Sequence, residues 1–191
     1  MNNAIKPFIQ SIYPLPIDVL EEFTQYLHHL EYPKNYFLLK QARPCKYLWF
    51  LVKGAVRYFY IEEDGKESNI WFSLADDVVV DPLSFIMQKP STITLQLLED
   101  SELFAIEYDQ LQSLLQKHHS FSLWYMRLVE RYYVAPIEDR LLELQFLTAK
   151  QRYEKLLAKF PTITNRISLG HIASYLKITQ ETLSRIRAGK L

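Results

Sequence analysis

The spacing of apolar positions divides the chain into three stretches. In the first, to about residue 118, a short helical pattern carrying Val19, Leu20, Phe23 and Leu27 gives way to strand patterns. Tyr36–Leu39, Tyr47–Val52, Ala55–Ile61, Asn69–Phe72, Val78–Val80, Thr92–Leu98 and Leu103–Ile106 are rich in β-branched and aromatic residues. Asp64-Gly65 predicts a tight two-residue hairpin turn with positive φ at both positions, and Gly54 suits a second turn. Short strands at this spacing predict an antiparallel sandwich or barrel.

The second stretch, roughly Tyr108 to Leu147, is helical throughout. Leu111, Leu114 and Leu115 form a short apolar face, and Trp124, Leu128, Tyr132, Leu142 and Phe146 a longer stripe. That stripe is wider than one monomer face needs, which suits a helix packing on its own barrel and on a second subunit; a purely intramolecular core helix is the alternative. Pro136 removes a backbone hydrogen bond and is expected to kink or interrupt the helix near Tyr132–Pro136. In the third stretch, Thr148 and Gln151 have capping-box form and open a helix that stops at Pro161.

Two further helices are expected at the end of the chain. Ser168 caps one whose inner face is Leu169, Ile172, Ala173 and Leu176; Lys177-Ile178 makes a turn, and Thr179 caps the next. At 100° per residue, Thr182, Leu183 and Ile186 fall on one side of the last helix, while Gln180, Glu181, Ser184, Arg185 and Ala188 fall on the other. This is helix-turn-helix form.

Composition narrows the class. Of 191 residues, 49% are apolar and 23% charged, which excludes a disordered chain, and no apolar run approaches the ~20 residues of a membrane helix. The N-terminal residues lack a basic segment leading into an apolar core, so no secretory signal is expected, and the single cysteine, Cys45, cannot by itself make an internal disulfide or a cysteine-ligated cluster. A cytoplasmic protein is expected. The net charge of zero hides an asymmetry. Residues 1–149 hold 13 Lys/Arg against 20 Asp/Glu, a formal −7, whereas residues 150–191 hold 9 against 2, a formal +7. A basic unit on an acidic body suits phosphate-backbone binding. On the outward face, Arg185 can read guanine, Gln180 adenine and Glu181 cytosine, with Ser184 beside them; Ser168, Lys177, Thr179, Arg187 and Lys190 suit phosphates. His28-His29 and His118-His119 read as helical surface pairs, and His171 as facing solvent or phosphate. No histidine lies between residues 30 and 117, so a cupin-like metal enzyme lacks ligands there, and no P-loop or nucleophile elbow is present. No enzymatic activity and no metal are expected.

The stretches Val52-Lys-Gly-Ala-Val-Arg57, Glu63-Asp-Gly-Lys-Glu67, Leu98-Glu-Asp-Ser-Glu-Leu103, Ile172-Ala-Ser-Tyr-Leu176 and Glu181-Thr-Leu-Ser-Arg-Ile-Arg187 resemble the Crp/Fnr family of bacterial transcription regulators. The resemblance implies an α+β fold: an N-terminal double-stranded β-helix (a jelly roll of cyclic-nucleotide-binding type) over residues 1–118, a long dimerisation helix over 119–147, and a C-terminal helix-turn-helix over 148–191, here without a downstream wing. It implies a homodimer on double-stranded DNA, with RNA polymerase and an unidentified small-molecule effector as further candidate partners and no membrane association. Gln180, Glu181 and Arg185 match the family's base-contacting trio.

The family's nucleotide site departs in this sequence. Its Gly-rich strand end reads Asp76-Asp77-Val78-Val79-Val80-Asp81, and the Arg-Ser pair that grips the cyclic phosphate is replaced by Ser91-Thr92. The adenine-holding pair falls at Ile137-Glu138. Asp81, Ser91, Thr92, Ile137 and Glu138 are therefore candidate effector-pocket residues, but loss of the bidentate Arg removes the charge-assisted grip on phosphate. No cofactor is expected, and no tight binding of cyclic AMP. The alternative function is a small-molecule-sensing module that signals through protein contacts without binding DNA.

Overall fold

The computed structural model describes residues 5–190. Two antiparallel sheets form a jelly roll. One has the order β1-β8-β3-β6, from His28–Tyr32, Ser101–Glu107, Tyr47–Lys53 and Asp77–Val79; the other β2-β7-β4-β5, from Phe37–Leu39, Thr94–Leu97, Ala55–Ile61 and Glu67–Leu74. This nested pairing is that of a double-stranded β-helix. Each expected strand is present. β1 is an addition, so His28 and His29 lie on a strand and not a helix; His29 reaches Glu102 on β8 at 2.8 Å.

Both expected turns form, with one difference. Gly54 has φ +112°, and a Cβ there would sit 2.0 Å from the Ser101 hydroxyl, so the β3–β4 turn needs glycine. In the β4–β5 hairpin only Gly65 takes positive φ; its N–H donates to the Glu62 carbonyl and Glu62 N–H to Lys66. The connection is thus longer than a two-residue turn, because Glu62 through Lys66 all lie outside the strand pairing.

Helices α1 (Lys6–Ile12) and α2 (Ile17–Gln25) precede the sandwich, and α3 (Pro82–Met87) follows β6. The helical second stretch is divided into α4 (Tyr108–Lys117), α5 (His119–Val129), a π-helical turn (Glu130–Val134) and α6 (Ala135–Phe146). The π turn ends just before Pro136, whose missing N–H cannot close an α turn there. His118 is extended between α4 and α5, against the helical placement expected for it, and contacts Glu22 at 2.9 Å.

The apolar stripe of this stretch splits in two. Trp124 and Leu128 are fully buried, with Phe8, Phe23, Phe50 and Phe121 around Trp124 in one aromatic cluster, and Trp124 Nε1 donates to the Ile9 carbonyl at 2.8 Å. Leu142 and Phe146 are exposed, and they are joined by Val134, Ile137, Leu141 and Leu144.

Helices α7 (Ala149–Lys159), α8 (Ile163–Arg166), α9 (Leu169–Tyr175) and α10 (Gln180–Arg187) complete the chain. The reciprocal capping box of Thr148 and Gln151 is formed as expected. Among the described residues, no helix is long and apolar enough to cross a membrane. Phe23 contacts Phe50, Phe121 and Trp124 at ring-centroid distances of 5.0–6.0 Å. Phe23→Ala is therefore expected to lower unfolding free energy by about 3–5 kcal/mol in denaturant titration, whereas Phe146→Ala, at 68% exposure, is expected to leave the stability of a single chain nearly unchanged.

Candidate nucleic-acid interface and effector cavity

The helix-turn-helix is closed by local hydrogen bonding. The Ser168 hydroxyl accepts from His171 N–H and the Thr179 hydroxyl from Thr182 N–H, so both helices are capped as the sequence predicts. Between them, Lys177 takes φ +56°; its N–H donates to Ser174 O and that of Ile178 to Ala173 O. These are the two bonds of a Schellman motif, with lysine in the position usually held by glycine. Ile172, Ala173, Leu176, Leu183 and Ile186 are buried, and the small Ala173 lets the two helices approach closely.

The opposite face of α10 is open. Gln180, Glu181, Ser184 and Arg185 are exposed, and Arg185 forms an i,i+4 ion pair with Glu181. Ser168, Lys177, Thr179, Arg187 and Lys190 are exposed as well; the Lys177 ammonium lies 3.5 Å from the Ser68 hydroxyl on β5.

The terminal helices are docked on the second sheet. Ala55, Phe72, Leu74 and Leu98 share one apolar cluster with Tyr153, Leu156, Ile163, Ile172, Tyr175 and Leu183, and the Phe72 and Tyr175 rings are 5.3 Å apart. Polar contacts frame the cluster. Arg166 makes two hydrogen bonds to Glu99, at 2.9 and 2.6 Å, and a third to the Gly54 carbonyl, which holds the Glu99 carboxyl below its usual range. The Ser174 hydroxyl accepts from Asn69 N–H at 2.9 Å.

His171 sits in this seam, half-buried, and not toward solvent or phosphate as its sequence position suggested. Its Nδ1 is 3.4 Å from Arg57 Nη1 and 3.3 Å from Asn69 Nδ2. Both neighbours are donors, so Nδ1 accepts and the imidazole is neutral. Burial, and then the Arg57 charge, push its pKa down, partly opposed by Glu67. Arg57 also pairs with Glu67 at 2.6 Å and Gln96 at 2.8 Å. Arg57 and Asn69 were not among the sequence-derived candidates. Only the pairing of β4 with β5, which sets Arg57 beside Phe72, brings them to α9.

A cavity of about 220 Å³ lies between the sandwich and the long helix, lined by Tyr58, Ile70, Trp71, Val78, Val80, Pro82, Ile93, Tyr132, Tyr133, Ile137, Arg140 and Leu141. Of the five candidate pocket residues, Ile137 lines it. Asp81 is buried, caps α3 by accepting from Ser84 N–H, and accepts from the Ser91 hydroxyl; Thr92 and Glu138 are exposed. Cys45 is fully buried, its thiol pushed up to about 12 by burial, as suits a packing residue. Among the described residues, no three His, Cys, Asp or Glu side chains are grouped to hold a metal ion.

Residues 29–118 match the cyclic nucleotide-binding domain family. Over 167 residues the chain is 28% identical to the fumarate and nitrate reduction regulatory protein of Yersinia pestis, covering 80% of this chain and 64% of that relative's length. The structure is similar to FixK2 from Bradyrhizobium japonicum, at a TM-score of 0.72 and 20% identity over 85% of this chain and 83% of that one. It is also similar to a regulator of the Crp/Fnr family from Eubacterium rectale, at 0.69 and 14% over 94% and 87%. At these identities the structural likenesses bear on the fold. Residues 29–118 thus carry the likeness to the cyclic nucleotide-binding domain, and the chain as a whole shares the fold of these regulators, spanning 64% of the length of the curated relative it matches.

Proposed function

We propose that the chain is a cytoplasmic, homodimeric, sequence-specific DNA-binding regulator without enzymatic activity, whose effector cavity is not adapted to cyclic AMP. The observation that carries this reading is the exposed row Gln180, Glu181, Ser184 and Arg185 at the start of α10, set on a terminal unit of formal charge +7. Hydrogen-bonding side chains at the N-terminal end of a second helix suit the edges of bases in a major groove. Ser168, Lys177, Thr179, Arg187 and Lys190 surround that row and suit phosphate. Dimerisation is supported by Val134, Ile137, Leu141 and Leu144, all exposed and spaced three, four and three apart as in a coiled-coil seam. RNA polymerase is a further partner consistent with such a regulator.

Weak affinity for cyclic AMP follows from charge. Ser91 is committed to the Asp81 carboxylate, so a phosphate there meets an anion without a free guanidinium.

Glu62 and Glu67 of the β4–β5 hairpin share a groove with Lys66, Lys177, Thr179 and Gln180, and Glu67 is paired with Arg57, so cations offset the carboxylates at that end of α10. The contacts of His171 with Arg57 and Asn69 hold the docked arrangement.

Arg185→Ala is expected to weaken binding to a duplex carrying the preferred site by about 1–3 kcal/mol in fluorescence anisotropy while changing affinity for unrelated duplex little. Unchanged site binding would favour the sensing module that signals through protein contacts. The docked state should also depend on pH. A histidine whose folded pKa lies below its ordinary 6.5 binds fewer protons when docked, so its contribution is present above that pH and is lost as pH falls below it. Thermal stability is expected to fall from pH 7.5 to 5.5, and to fall less in His171→Gln, which keeps a neutral side chain.

A further inference from the structure

The cavity beside the long helix contains a buried polar group with nothing to pair with. The Tyr133 hydroxyl is excluded from solvent and has no hydrogen-bond partner in the protein. Buried hydroxyls are rarely left so. The π-helical turn Glu130–Val134 brings Tyr133 to the cavity, and such turns occur frequently at functional sites. The other lining hydroxyl that is bonded, Tyr58, already faces Ser73 at 3.1 Å.

The remaining lining has a uniform character. Ile70, Val78, Val80, Ile93, Ile137 and Leu141 supply aliphatic surface. Arg140 is the one charged side chain in the lining, and its guanidinium is engaged: it pairs with Glu143 at 2.9 Å, donates to the Tyr175 carbonyl and stacks 3.8 Å from the Tyr175 ring. An anion entering this space would be desolvated without a free cation to meet it. A dry apolar cavity of about 150 Å³ holds benzene, so 220 Å³ encloses roughly nine heavy atoms, and the open side beside the exposed Ile137 and Leu141 leaves room for one or two more.

We propose that this cavity binds an uncharged, largely apolar ligand of about bicyclic size, whose one polar group, a hydroxyl or carbonyl oxygen, pairs with the Tyr133 hydroxyl. The inference rests on the reading of this cavity as the effector site, and it names the ligand class. Burial pushes the Tyr133 pKa well up, so the phenol stays protonated and able to donate.

The test is isothermal calorimetry on the full chain with 2-naphthol, naphthalene, 2-naphthoate and cyclic AMP. The expected result is one 2-naphthol per chain, with naphthalene about five- to tenfold weaker, as loss of one hydrogen bond implies, and no measurable binding of 2-naphthoate or cyclic AMP at the same concentrations. Tyr133→Phe is expected to bring 2-naphthol down to the level of naphthalene and leave naphthalene unchanged. Ile70→Trp, which fills the cavity, is expected to abolish both. Absence of 2-naphthol binding, equal binding of 2-naphthoate, or 2-naphthol affinity unaltered by either variant would overturn the proposal. Duplex binding by the same preparations separates the two readings: intact DNA recognition with failed 2-naphthol binding rejects this inference alone, and the converse rejects the DNA-binding reading alone.

Discussion

The contact between Phe72 on β5 and Tyr175 at the end of α9 lies at the centre of the molecule's organisation. Around it the apolar faces of the terminal helices and of the second sheet merge into one cluster, so neither buries its surface fully without the other. Burial of apolar area supplies the attraction here, at about 25 cal/mol per Å². The ion pairs at the margin set orientation more than strength, since a partly exposed pair such as Arg166 with Glu99 contributes little beyond its desolvation cost. The hydrogen bond from Asn69 N–H to the Ser174 hydroxyl and the contacts of His171 with Arg57 and Asn69 fix which face of α9 meets the sheet. His171 is the weak point of this margin, because its acceptor nitrogen serves two donors only while it is neutral.

The cavity and the seam share side chains. Arg140 lines the cavity and also holds Tyr175 by ring and carbonyl. Trp71 lines the cavity from β5, one residue before Phe72, and lies under the Lys159 ammonium at 4.8 Å. A ligand that displaces either side chain therefore acts on contacts that position α7 and α9. Coupling of this kind needs two discrete arrangements of the terminal helices, of which the docked one is the arrangement described.

Much of this architecture was legible in the sequence where local chemistry decides it. The strands of β-branched and aromatic residues, the caps Thr148, Ser168 and Thr179, the turn at Lys177-Ile178 and the interruption before Pro136 all follow from short-range rules. β1 escaped because His28–Tyr32 is mostly polar and finds its place only by pairing with β8. His171 was misread because its surroundings come from residues more than a hundred positions earlier. The cavity was legible only at Ile137. Its other walls come from strands β4 to β6, from the approaches to and exit from α3, and from a π turn whose extra residue rotates Tyr132 and Tyr133 inward, none of which helical periodicity reveals. The stripe along the long helix shows the same limit. Its period was visible in the sequence, but the division into a buried half at Trp124 and Leu128 and an exposed half beyond Val134 depends on where α1 and α2 cover it.

The central claim is that the outward face of α10 reads DNA as one of a symmetric pair, and selection of bound duplexes from a random library tests it most directly. The expected result is enrichment of a two-fold symmetric consensus whose half-sites are centred about one helical turn, roughly 34–36 Å, apart. Recovery of no consensus from the dimeric protein, or of sequences enriched equally by a chain with Gln180, Glu181 and Arg185 all replaced by alanine, would contradict it.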